Sequence, residues 1–484
     1  MTDVLLGQAY FLRFDPKLWS AMQPYAPLGT LYAASCLRQS GHSVALFDAM
    51  LAQSESEWDA ALERVEPRIA VLYEDSFNYL SKMCLLRMRE AAVRMIGMAR
   101  ARGCPVVVSG SDATDHPDVY LDAGAITVVV GEGEVTLVDT IDALRRGETL
   151  ARVAGLAHRV DGRVARTAAR PFVRTLDDFP RPAWDLVDVE RYRRAWRDRH
   201  GYHAMNLATT RGCPFHCNWC AKPIYGQRYA VRSAENVVDE IAWLTGTYAP
   251  DRLTIVDDVF GLQPGWIDRF AATLQARRIQ VPFRCLMRAD QIDGDVVRGL
   301  SAAGCEMVWL GAESGSQKVL DAMEKGVRVE QIRDAVRSLH AAGINVGMFL
   351  QFGYPGETWD DVEQTLALVR ETAPDDIGVS VSYPLPGTKF HERVRAELGA
   401  KQNWVDSNDL AMMYRATYRP EFYRVLHDVV HHEFRTRQLS RAVKHVTAQP
   451  LRLRLPDVRR IAAWVYHRTA LPFASYELKR MARP

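Results

Sequence analysis

The chain has 484 residues, 48% hydrophobic and 25% charged, with a formal net charge of +2, which predicts two or three domains of a soluble globular protein. Eight cysteines in this length exclude a disulfide-built scaffold, and the crowding of three into one motif predicts a reducing, cytoplasmic setting. The net charge says nothing of partners by itself, and no nucleic-acid partner is expected.

The start, Met1-Thr-Asp-Val-Leu-Leu-Gly-Gln8, lacks the basic region of a secretory signal, and nowhere does an uncharged apolar run reach the length of a membrane span. Asp3–Gly7 reads as a short buried strand, Leu28–Gln39 as a helix closed by Gly41, Ser43–Phe47 as a second strand and Arg68–Tyr73 as a third. A long helix is predicted from about Leu80 to Arg102, then strands at Pro105–Ser109 and Ala125–Val130. Short apolar strands separated by helices predict a doubly wound parallel sheet over residues 1–150, covered on both faces. Ligands bind such sheets at the strands' carboxyl ends, where Gly110, Ser111 and Gly131-Glu132-Gly133-Glu134 should lie. The G-x-G-x-x-G fingerprint is missing from the first helix, which argues against an ordinary dinucleotide site. Residues 151–199 read as a connector, with a hairpin over Leu156–Val164 turning at Asp161-Gly162 and a proline-rich linker over Leu176–Asp185.

Next comes Cys213-Pro-Phe-His-Cys217-Asn-Trp-Cys220, reached from Met205–Gly212. Thiolates at C-x3-C-x2-C spacing can each hold one iron of a [4Fe–4S] cluster. The fourth iron is then open for chemistry, where a structural site would close every position. A zinc site completed by His216 or a distant residue, or merely buried thiols, are the competing readings, although zinc sites usually pair two C-x2-C or C-x2-H halves. The spacing, Gly212 and Trp219 resemble the radical S-adenosylmethionine (SAM) superfamily. The resemblance implies that SAM chelates the open iron and is cleaved by one electron to a 5′-deoxyadenosyl radical.

Residues 200–400 repeat strand and helix about six times. The strands are Met205–Ala208, Arg252–Asp258, Pro282–Met287, Met307–Gly311, Val346–Leu350 and Asp376–Val381, with a helix over Arg232–Leu244. This predicts a (βα)6 partial TIM barrel with its chemistry at the strands' C-terminal ends. The polar clusters fall at those ends. In the family such positions hold SAM, so the resemblance implies that Asp257 and Asp258 take its amino group and Arg288 its carboxylate or ribose. Glu313 with Ser314 would take the ribose hydroxyls. Gln351 and its turn would line the adenine and substrate sides, as would Tyr383–Thr388, and Trp219 would lie beside the cofactor. Taken alone, each of these is an ordinary strand-end residue; their value is joint. Cys36, Cys84, Cys104, Cys285 and Cys305 read as buried small hydrophobes.

With the barrel identified, Pro27-Leu-Gly29, Val106–Thr114 and Val130–Glu134 look like the cobalamin-binding module found ahead of many radical SAM domains. That group includes the anaerobic magnesium-protoporphyrin ester cyclase and carbon methyltransferases. The resemblance implies cobalamin at Gly110, Ser111, Gly131 and Glu132. Two departures stand out: the Asp-x-His-x-x-Gly motif is absent, and Asp112 stands where many relatives have His. A module that only packs, or binds something else, stays open.

Residues 401–484 read as a helical extension with 16 Lys+Arg against 7 Asp+Glu. His427, His431 and His432 precede Glu433 and form no H-E-x-x-H, so they read as solvated or capping histidines. The tail is expected to close the barrel mouth, and Ile461–Tyr476 could lie on a membrane surface. The reading that results is a cobalamin-dependent radical SAM enzyme that methylates an unactivated carbon of a small, possibly apolar molecule, with flavodoxin or ferredoxin as electron donor. A radical cyclase, oxidase or rearrangement enzyme without methyl transfer is the alternative. A non-catalytic iron–sulfur or zinc protein is the third reading.

Overall fold

The structure is a computed structural model that describes residues 2–83, 85–220, 224–447 and 455–482; Cys84 lies outside them. Apolar runs set its first sheet. β1 (Val4–Gly7), β2 (Val44–Phe47), β3 (Ile69–Tyr73), β4 (Val106–Ser109) and β5 (Thr127–Val129) are parallel in the order β2-β1-β3-β4-β5. β1, β3, β4 and β5 are buried along their whole length, as strands covered on both faces must be. The order reverses between β1 and β3, so the crevice at their carboxyl ends is the topological switch point at which such sheets take ligands.

Two local expectations change. The hairpin that reads as part of a connector, β6 (Leu156–Val160) and β7 (Arg163–Arg166), is the antiparallel edge of this sheet. Leu156 and Ala157 are buried against β5, whose flank would otherwise be a bare edge. The helix expected over 80–102 is two pieces, Tyr79–Lys82 and Leu86–Ala101. Leu85 is extended, and the Leu86 and Arg87 amides donate to the Trp404 and Val405 carbonyls. Contact with the C-terminal region thus overrides the helical pattern.

The second sheet grows strand by strand. β8 (Ala204–Leu207) leads to a two-stranded antiparallel ladder of β9 (Thr210–Arg211) and β10 (Ala230–Val231). β11 (Arg252–Ile255), β12 (Phe283–Met287), β13 (Cys305–Glu313), β14 (Asn345–Phe352) and β15 (Asp376–Val381) then follow β8 in sequential, wholly parallel order. This is the expected (βα)6 partial barrel. Alternate residues such as Val308, Leu310, Val346 and Met348 are fully buried, while Trp309 and Phe349 on the other face stack at 4.7 Å. Gly347 and Gly378 make room for that pair, since a Cβ would stand 2.4 Å from the Trp309 ring and 2.8 Å from the Phe349 ring.

Two long helices, Pro420–Thr447 and Leu455–Met481, close the chain. The first buries Phe422, Tyr423, Leu426, Val429, Val430 and Phe434. The second leaves Tyr466, Phe473 and Tyr476 exposed by 62%, 79% and 73%. Among the described residues no helix is long and apolar enough to cross a membrane.

Candidate functional site

The cysteine loop leaves the barrel through Gly212, whose φ of +78° and a virtual Cβ only 2.5 Å from the Arg228 carbonyl admit glycine alone. The β9–β10 ladder closes the loop's base. None of Cys213, Cys217 and Cys220 is in a disulfide, and Cys217 is buried. Arg288, at the end of β12, stands 3.7 Å over the Phe215 ring and brings Nη1 to 3.7 Å from Cys217 Sγ. Asp290 and the Lys325 carbonyl fix that guanidinium. Asn218 bolts the loop to the barrel: its amide donates to the Met323 carbonyl, its Nδ2 to Ala322, and its Oδ1 accepts from the buried Tyr354 hydroxyl. Trp219 packs beside this contact with its Nε1 buried and, among the described residues, unbonded.

These donors fit a cluster better than a single ion. Among the described residues no three His, Cys, Asp or Glu side chains converge as ligands of one metal ion, whereas thiolates around a four-iron cluster must stand apart. His216, the fourth ligand that a zinc site would use, points its Nδ1 at Gln227 Oε1, 2.8 Å away, and is exposed. Burial pulls the Lys325 ammonium down, but Glu313 and Cys217 more than offset it and hold it above its usual range.

The acidic strand ends divide their work. Asp257 is committed to the protein: Oδ1 accepts from the Thr209 and Thr210 amides and Oδ2 from the Thr209 hydroxyl. Burial still pushes its carboxyl up to about 6. It therefore steers the segment feeding the cysteine loop, with three of its acceptor positions spent on the protein. Asp258, next along, is exposed and pairs with Lys82 Nζ at 2.6 Å. Glu313 sits at a bulge in β13 with φ +60°, a left-handed conformation that costs about 1–3 kcal/mol and clusters at functional sites. Its Oε1 lies 2.9 Å from Lys325 Nζ, both side chains being 7% exposed. Ser314 is turned inward, to Thr365 and the Ser316 amide. Gln351 donates to the Ser382 hydroxyl.

At the switch point of the first sheet, Gln8 Nε2, Glu74 Oε2 and Asp75 Oδ2 are buried and unbonded among the described residues. Burial pushes the Glu74 carboxyl up to about 8 and Asp75 up to about 6. Buried polar atoms left open in this way mark a place for a ligand. Gly110 packs on Glu74, 2.8 Å from a virtual Cβ, and Ser111 is buried at the start of a one-turn helix. Gly131 lies beside the chain leaving the cysteine loop, its virtual Cβ 3.9 Å from the Ile224 carbonyl. Glu132, expected at a cofactor, instead gives Oε1 to Arg211 and Oε2 to the Val173 amide. Asp112 accepts a bidentate pair from Arg89 and a bond from the Tyr120 hydroxyl. Asp112 is thus spent on a closed ion pair.

Residues unread in the sequence join the two sheets. The helix Tyr79–Lys82 follows β3 and is pinned to the barrel by the Lys82–Asp258 pair. Tyr79 is 59% exposed, with Cys220, Glu313 and Tyr383 near it. Arg211 is the other join. Asn218 and Lys325, also unread, act within the barrel, on Ala322, Met323 and Tyr354 and on Glu313 respectively. Only the Arg-Gly-Cys adjacency of Arg211 was there to be noticed.

Residues 207–369 match the family model described as Radical SAM superfamily. The chain is 27% identical over 385 residues to an uncharacterized methyltransferase of Pyrococcus horikoshii, covering 78% of this chain and 80% of that one. It is 29% identical over 329 residues to the anaerobic magnesium-protoporphyrin IX monomethyl ester cyclase of Synechocystis, covering 66% and 62%. Among solved structures, the cobalamin-dependent S-adenosylmethionine radical enzyme OxsB with aqua-cobalamin and S-adenosylmethionine bound superposes with a TM-score of 0.74 at 16% identity, over 99% of this chain and 72% of that one. That last likeness is one of fold.

Proposed function

We propose that this chain, whose barrel is a radical SAM domain, is a cobalamin-dependent radical SAM enzyme that methylates an unactivated carbon of a small molecule. One observation carries the reading: the Lys82–Asp258 pair pins the segment following β3 onto the end of β11. The ligand edge of the first sheet thereby faces the ligand end of the barrel. When bound, the cluster and SAM supply a 5′-deoxyadenosyl radical and cobalamin supplies a methyl group.

The chain's own residues position and exclude. Cys213, Cys217 and Cys220 would hold three irons, with Arg288 and Lys325 balancing the thiolate charge near Cys217. Glu313 would take the SAM ribose hydroxyls in exchange for part of its bond to Lys325, and its preset backbone removes the cost of finding that conformation on binding. Asp258 and Gln351 would take polar groups of SAM, and Trp219 would wall off the cluster. The open polar atoms of Gln8, Glu74 and Asp75, with Gly110, Ser111 and the Gly131–Glu132 backbone, would border the cobalamin. The substrate would lie between the two halves beside Tyr79, with flavodoxin or ferredoxin as electron donor and a reducing, cytoplasmic setting to match the undisulfided cysteines.

Cells expressing the chain and fed methyl-labelled methionine should accumulate a small molecule bearing the heavy methyl, absent when the chain carries Cys217→Ala. Unlabelled product together with 5′-deoxyadenosine would instead support the second reading, a radical cyclase, oxidase or rearrangement enzyme, which the name of the Synechocystis relative favours. The tail adds a membrane surface: Val458, Val465, Tyr466, Phe473 and Tyr476 are exposed on one helix that also carries Arg459, Arg460, Arg468, Lys479 and Arg480. Flotation with vesicles containing anionic lipid should carry the chain upward; a chain left behind with anionic and neutral vesicles alike would remove this contact.

A further inference from the structure

Arg211 is a fully buried cation shared by the two halves of the molecule. Nη1 is 2.6 Å from Glu132 Oε1 and Nη2 is 2.8 Å from Glu134 Oε1, and all three side chains are almost wholly out of water. Four rings surround the guanidinium: Phe179 at 4.3 Å, Tyr225 at 5.3 Å, Tyr32 at 5.5 Å and Phe77 at 5.8 Å. They come from the first helix, the segment after β3, the linker and the chain beyond the cysteine loop. Rings on the faces leave only the planar edge for hydrogen bonds, and the two carboxylates take it.

Both carboxylates belong to the Gly131–Glu134 loop, which lies on the carboxyl ends of the first sheet. At Gly133 a Cβ would stand 2.8 Å from the Ser109 and Tyr73 hydroxyl oxygens, so the loop backbone rests directly on β3 and β4. The cation itself sits in β9, paired with Ala230, immediately before Gly212 and Cys213. A shift of the loop must either drag Arg211 with it or break an ion pair in a site without water, where an unpaired charge is costly.

We propose that Arg211 is a positioning residue that makes the geometry of the cysteine loop depend on the state of the Gly131–Glu134 loop, so that a ligand on the first sheet tightens the cluster site. This rests on reading the first sheet as the cobalamin site. The test is hydrogen exchange on the cluster-reconstituted chain with and without hydroxocobalamin, its binding read separately from the visible spectrum. In the wild type, bound hydroxocobalamin should slow exchange both at residues 131–134 and at residues 209–220, the latter by about tenfold or more.

Glu132→Gln keeps Glu134 as a partner and so retains the fold. In that variant residues 131–134 should still be slowed, while slowing at 209–220 falls below about twofold. Arg211→Lys, a point charge that cannot span both carboxylates, should behave alike. If Glu132→Gln protects the cysteine loop as fully as the wild type, or if wild type with hydroxocobalamin bound shows no slowing there, the inference is overturned and the cobalamin reading stands. If the wild type binds no hydroxocobalamin, both fall.

Discussion

Cys217→Ala should leave the chain folded and without a cluster. Reconstitution with iron and sulfide then gives background iron, and 5′-deoxyadenosine from SAM and dithionite falls to background. Cys217 is the buried member of the three and lies within 3.7 Å of the Arg288 guanidinium. Arg288 and Lys325, each paired with its own carboxylate, both lie near the Cys217 sulfur. Removing one of three ligands also leaves the cluster too few anchors, because this loop has no fourth cysteine to move in. The unfolding midpoint of the cluster-free chain should move by less than about 1 kcal/mol, since one small side chain is lost from a loop that Asn218 still holds. Retained 5′-deoxyadenosine formation in this variant would contradict the assignment of the loop.

Glu313→Ala should show the second large effect, on stability and on SAM together. The Lys325 ammonium would be left buried beside Arg288 with its counter-charge gone, a loss of about 3–5 kcal/mol. Lys325→Met alone strands Glu313 in the same way. The double variant Glu313→Ala/Lys325→Met removes both charges and should return to within about 1 kcal/mol of the wild type, as replaced buried pairs do. SAM affinity, measured by equilibrium dialysis, should stay weakened in the double variant by about 1–3 kcal/mol, the cost of hydroxyls left without their acceptor. Denaturant unfolding supplies the stability arm. If the two single losses simply add in the double variant, the pair is not coupled; if SAM affinity returns with stability, Glu313 has no part in holding it.

The strands of both sheets were legible because each is a short apolar run ended by a turn, and the cysteine spacing with Gly212 and Trp219 carried the resemblance to the radical SAM superfamily. What the sequence hid is which way each strand-end side chain turns. Asp257 and Asp258 are neighbours, yet one faces inward to Thr209 and Thr210 and the other outward to Lys82. Both lie in the turn beyond β11, and only the partners decide which carboxylate is spent on the fold. The partner of the Glu132 side chain was hidden for the same reason: its cation, Arg211, lies 79 positions away. The split of the helix over 80–102 follows from Trp404 and Val405, which no local pattern reveals. His427, His431 and His432, expected as solvated or capping residues, instead lie half-buried inside the helix Pro420–Thr447; burial lowers His431 to about 3, and His432 meets His467 at 2.8 Å.

Metal content of the chain purified anaerobically with cobalamin present tests the central claim most directly. About four irons and one cobalt per chain are expected, with the visible spectrum of the extracted corrinoid identifying the cobalt. Iron without cobalt, after purification with cobalamin in excess, would contradict the cobalamin-dependent account and leave a radical SAM barrel whose first sheet holds a different guest.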